Sequence, residues 1–139
     1  MLILDWIIET YKCVVYHTLK EILSLNEIEL VKQNGLMHFT NYENTIFIVE
    51  NGVDADSGKE MLKREKGYSW FYIYEQSTFK EKLRIVHSKG NRKSYDAYII
   101  IKDISDAQIE KLRIRRKHDN AVNYQGKSYT NNIVAKNIN

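Results

Sequence analysis

Tyr68-Ser-Trp-Phe-Tyr-Ile-Tyr-Glu75 is the stretch on which the reading of the fold turns. Aromatic residues and isoleucine dominate it, and these suit the pleated, half-buried surface of a β-strand. Successive side chains leave a strand on opposite sides, so Trp70, Tyr72 and Tyr74 share one face and Phe71 and Ile73 the other. Downstream, Tyr98-Ile-Ile-Ile101 is apolar without alternation, as a central strand covered on both faces should be.

Working outward, further strands are expected in pairs. Leu36–Thr40 and Thr45–Glu50 read as a hairpin around the polar turn Asn41–Asn44, because Thr45-Ile-Phe-Ile-Val49 is rich in β-formers. Leu83–Ser88 and Ser94–Lys102 bracket Lys89-Gly-Asn-Arg92, which reads as a basic hairpin tip. Ala121–Tyr124 and Ser128–Asn131 form a third candidate hairpin around Gln125-Gly126.

Helices are marked by a different period. From Leu4 to Leu25, apolar residues recur at Leu4, Ile8, Tyr11, Val15, Leu19 and Ile22, with Asp5, Glu9, Lys12 and Lys20 opposite them. Asn26 is a plausible cap for a second helix that Asn34-Gly35 would stop, and a short charged helix is expected over 59–66. Ser105, three residues before Gln108, has the spacing of a capping box, with Ile104 and Ile109 placed as a hydrophobic staple. If that helix buries Ile109 and Leu112, position 116 should also face inward, yet it is Arg116. The helix therefore either ends near Arg113 or leaves the core in its last turn. The expected architecture is α+β: an N-terminal amphipathic helix packed on a mostly antiparallel sheet of about five or six strands, with one or two further helices, all in one domain over residues 1–139.

Composition sets bounds on function. At 139 residues, 43% hydrophobic and 28% charged, the chain can bury a core and is unlike a disordered segment. Cys13 is its one cysteine, which excludes an internal disulfide and a cysteine-built zinc site and favours a reducing, cytoplasmic setting. Charges interrupt the apolar N-terminal stretch at helical spacing, so no membrane association is expected. Proline is absent where average usage would give about seven. Together with abundant Ile, Asn, Lys and Tyr, this points to AT-rich coding.

The net charge of +3 conceals an asymmetry. Residues 1–76 hold seven Lys/Arg against twelve Asp/Glu, for −5, whereas residues 77–139 hold fourteen against six, for +8. Concentrated positive charge attracts polyanions or acidic protein faces. The candidate contact residues for nucleic acid or a partner are Lys89, Arg92 and Lys93 at the expected hairpin tip, and Arg113, Arg115, Arg116 and Lys117 at the end of the last helix, where a cation also complements the helix dipole. Tyr95, Tyr98, Tyr124 and Tyr129 lie near enough in sequence to offer rings for stacking.

No catalytic motif reaches a comparable standard. Gly52-Val-Asp-Ala-Asp-Ser-Gly58-Lys59 occupies the place of a phosphate loop but has five residues between its glycines and Glu60 where Ser or Thr should hold magnesium. Asp54 and Asp56 open like a calcium loop, but Gly58 stands at the third ligand position. Cys13 and His17, at i and i+4, are too few for zinc, so neither a metal nor a cofactor is expected. The reading this supports is a non-enzymatic cytoplasmic binding protein. Its basic C-terminal half would engage nucleic acid or an acidic or nucleic-acid-handling protein, in the manner of a regulator or inhibitor of phage or mobile-element type. The alternatives are an inhibitor of a host defence enzyme acting by protein contact alone, and a small metal-independent RNase toxin using His87 or His118. Opposite charge on the two halves also allows a homodimer.

Overall fold

The computed structural model describes residues 4, 20–54, 68–89, 95–116, 120–125, 127–128 and 132–137. In chain order these form β1 (Glu21–Ile22), α1 (Leu25–Asn34), β2 (Leu36–Thr40), α2 (Tyr42–Asn51), β3 (Val53–Asp54) and β4 (Tyr68–Ile73). A 3-10 turn (Gln76–Thr78) leads into α3 (Phe79–Lys89), then β5 (Ala97–Lys102), α4 (Asp106–Glu110), β6 (Arg113–Arg115), β7 (Ala121–Gln125), β8 (Lys127–Ser128) and β9 (Asn132–Asn137). Residues 5–19 of the expected N-terminal helix, residues 55–58 of the acidic turn and the short helix over 59–66 lie outside the described residues.

Seven strands join in the order β1-β6-β7-β4-β2-β5-β9, every pairing antiparallel. The α+β class and antiparallel sheet expected from the sequence are present. Strand β4 behaves as its alternation requires. Phe71 and Ile73 enter one buried cluster with Leu36, Ile99, Ile101, Ile114 and Val122, while Tyr72 enters a second with Met37, Phe39 and Ala121. Helices α1, α2 and α4 contribute Val31, Ile48 and Ile109 to the first cluster, and α3 contributes Val86 to the second. The sheet is thus packed on both faces, and β5, hydrogen-bonded to β2 and β9, is the interior strand that its unbroken apolar run implies. Burying a side chain such as Ile99 or Phe71 completely is worth about 1.5–3 kcal/mol.

Several expectations need correction. Thr45–Glu50 is not the second arm of a hairpin but lies within α2. Asn41 caps this helix by accepting the Asn44 amide at 2.7 Å, and Asp96 accepts the Tyr42 amide at 2.8 Å. Gly52, at φ 79°, ends the helix with its N–H on the Ile48 carbonyl at 2.7 Å. With Thr45 and Ile48 buried three residues apart, capping and core contact outweigh the β propensity of the sequence.

Leu83–Ser88 is likewise helical. Phe79, Leu83 and Val86, at i, i+4 and i+7, all pack on the second cluster, so Lys89 closes a helix and is not the start of a hairpin tip. The described part of the third expected hairpin, residues 121–125 and 127–128, does not pair with itself either, and residues 126 and 129–131 lie outside the described residues. Strand β7 pairs with β4 and β6, β8 pairs with β3, and β9 pairs with β5. Finally, the helix begun by Ser105 has its capping box and stops before Arg113, the first of the two endings expected, but the arginines placed at its end belong to a strand, Arg113–Arg115. The second helix is capped by Ser24, not Asn26, and because Glu21–Ile22 is a strand the first helix cannot run through to Leu25. With Thr45–Glu50 and Leu83–Ser88 helical, four helices are described where one or two beyond the first were expected.

Candidate nucleic-acid interface

The end of α4 decides the placement of the arginines. Once Lys111 ends that helix, the chain adopts period two. Ile114 then points into the first cluster, while Arg113 and Arg115 share the other face of the sheet. Arg113 turns back on its own main chain, donating from Nη1 to the carbonyls of Glu110 at 2.9 Å and Leu112 at 2.7 Å. Arg115 lies over a ring: its Cζ is 4.5 Å from the Trp70 centroid. A guanidinium in that position is attracted by the negative face of the indole.

Trp70 is the centre of a larger arrangement. Its ring and that of Tyr68 have centroids 6.3 Å apart, and Lys20 Nζ stands 4.6 Å above Tyr68 and 5.9 Å from Trp70. Two cations from distant parts of the chain therefore meet two aromatic rings on one face of the sheet. Tyr68 and Trp70 belong to β4, which holds them in place through its pairing with β7, where Trp70 is opposite Asn123. The Asn123 side chain is completely buried, and neither its amide atoms nor Trp70 Nε1 has a hydrogen-bond partner.

Arg116 has a different environment. It donates to Glu21 Oε2 at 3.0 Å, to the Ile22 carbonyl at 3.3 Å and to Glu27 Oε1. Both carboxylates come from the acidic first half, so this arginine is engaged in an intramolecular ion pair. Lys89 ends α3, and Arg92, Lys93 and Lys117 lie outside the described residues. Of the seven cations expected to converge, the structure places Arg113 and Arg115 side by side and Arg116 in a separate ion pair.

The tyrosines expected to stack fare similarly. Tyr98 packs within an aromatic group, 5.1 Å from Phe79 and 6.5 Å from Phe39, and Tyr124 packs against the first cluster. Tyr95 packs against the second cluster, and Tyr129 is outside the described residues. The ring beside Arg115 is Trp70 instead, and Lys20 lies over Tyr68. The alternation in the 68–75 stretch places Trp70 on the face opposite Phe71, as found. Its meeting with Arg115 had no local signal.

The histidines give no catalytic pair among the described residues. His38 donates from Nδ1 to the Trp70 carbonyl at 2.7 Å and lies 5.4 Å from Phe71. Burial pulls its pKa below the ordinary value, although the bond to Trp70 acts in the opposite direction. His87 donates from Nε2 to the Tyr95 carbonyl at 3.1 Å. His118, Cys13 and His17 are outside the described residues. No group of three or more His, Cys, Asp or Glu side chains is placed to hold a metal among those described.

One cleft of about 240 Å³ opens between α1 and α3, lined in part by Leu30, Ile73, Ile85 and the carboxylates Glu27, Glu75 and Glu81. Lys82 also lines it and donates to the Ile73 carbonyl at 2.7 Å. Burial lowers the pKa of this lysine, against the opposing pull of Glu75 and Glu81. No helix among the described residues is long and apolar enough to cross a membrane. No protein-family model, curated protein or solved structure matches the chain.

Proposed function

We propose that this chain is a non-enzymatic binding protein that engages nucleic acid through the aromatic and cationic face around Trp70. The observation that carries the reading is the position of Arg115 over Trp70, with Tyr68, Lys20 and Arg113 on the same part of the sheet. Aromatic faces accept bases of any sequence, and cations beside them meet the backbone phosphates. This is a narrower contact than the whole basic half, because Arg116 is bound to Glu21 and Glu27.

The test is fluorescence anisotropy of labelled single-stranded DNA and RNA at two salt concentrations. Binding should weaken as salt rises, with a slope of about −0.7 per phosphate neutralised on a single strand. Arg115→Ala should reduce both affinity and slope, while Arg116→Ala leaves both as they were. No binding of either polymer at low salt would remove the nucleic-acid reading. A stable complex with a host enzyme in its place would establish the protein-directed inhibitor.

A further inference from the structure

Helix α2 is apolar on two sides. Thr45 and Ile48 face the core, as a helix packed on a sheet requires. On the outer side Tyr42 is 55% exposed, Ile46 60% and Val49 54%, and these fall at i, i+4 and i+7 in one row along the axis. Phe47, 46% exposed, lies further round the helix. Between the row and Phe47 come Glu43 and Glu50, both exposed and seven residues apart, or about 10 Å along the axis. Residues 41–54 contain no Lys or Arg, although the whole chain is net positive.

Scattered exposed apolar residues need no explanation, but three large ones in a single row with an acidic flank form a recognition pattern. We infer that α2 is a docking surface for a basic amphipathic helix of a partner protein. Its apolar side would lie along Tyr42, Ile46 and Val49, and its Lys or Arg residues would meet Glu43 and Glu50. A helix fits because rows at this spacing form ridges that enter the grooves of a second helix. A basic partner fits because the helix itself carries two carboxylates on this flank and no Lys or Arg. A second copy of this chain fits poorly: a two-fold α2 contact would set Glu43 and Glu50 against the same carboxylates of the other copy. The inference is independent of the Trp70 face, which lies among β4, β6 and β7, whereas α2 packs on β5 and β9.

The experiment uses the full chain labelled with ¹⁵N and a synthetic Lys/Leu peptide patterned as an amphipathic helix, with a Glu/Leu peptide of the same pattern as control. The Lys/Leu peptide should shift the amides of residues 42–50, and the Glu/Leu peptide should not. Ile46→Lys or Val49→Lys, both at exposed positions that leave the core intact, should weaken binding by about tenfold or more. Glu43→Gln with Glu50→Gln should lessen its salt dependence. Shifts confined to the cleft carboxylates Glu75 and Glu81, or affinity unchanged by Ile46→Lys, would overturn the proposal. So would self-association of the free chain that Ile46→Lys abolishes, since the occupant would then be a second copy.

Discussion

Arg116 binds Glu27 across 89 positions of sequence, and Glu27 is at the same time the residue that closes the capping box of α1. Its Oε1 also accepts the Ser24 amide at 2.7 Å. One carboxylate thus ties the start of α1 to the end of β6, and Glu21 adds a second tie at 3.0 Å. Arg116→Ala is expected to lower stability by about 1 kcal/mol, the upper end for a partly exposed pair. Glu27→Gln keeps a capping oxygen and should cost less than Glu27→Ala, which loses cap and ion pair together. Urea denaturation of the three variants checks this order.

Gly35 joins α1 to β2 at φ 83° and ψ −175°, a conformation open in practice to glycine alone. Its N–H bonds the Val31 carbonyl at 2.9 Å and its carbonyl accepts the Tyr74 amide at 3.0 Å. A Cβ here would stand 2.4 Å from the Ile101 carbonyl oxygen. Gly35→Ala should therefore cost about 2 kcal/mol or more. A thermal melt should show a fall on the order of 5–10 °C.

Asn123 is wholly buried opposite Trp70, and its amide has no hydrogen-bond partner. An unsatisfied buried amide costs about 1–3 kcal/mol. Asn123→Leu, of similar size and without polar atoms, should raise stability by about 1 kcal/mol. A melting temperature below that of the parent chain would show that the amide is satisfied in solution, by water or another group.

His38 should make stability depend on pH. Its folded pKa is below the ordinary 6.5, so the unfolded chain binds more protons at mildly acid pH, and stability falls as pH drops through 6.5. Above that value the effect is absent. His38→Asn, which can keep a donor toward the Trp70 carbonyl, should remove the slope as pH falls below about 6.5. Urea midpoints of both proteins across that window measure it.

The strands legible in the sequence were those whose side-chain pattern has a single interpretation. Tyr68–Ile73 alternates, and both of its faces are buried as the alternation implies. Thr45–Val49 did not have that property. As a β-branched run it suits a strand, and only the caps at Asn41 and Gly52, with Asp96 from 54 positions away, make it helical. Leu83–Ser88 taken alone suits a strand, and its helical row shows only when Phe79, the first member, is included.

The sequence by itself determined the α+β class, the two-faced strand at Tyr68, the buried strand at Tyr98, the stop at Gly35 and the capping box at Ser105. Each rests on neighbouring residues and on the fixed periods of backbone geometry. Tertiary structure alone decided which cations meet. It set Arg115 against Trp70 and Arg116 against Glu21 and Glu27, because strand order and register choose those neighbours. Charge counted along a chain shows how much positive potential is available. Only the pairing of distant strands shows how much of it is already neutralised.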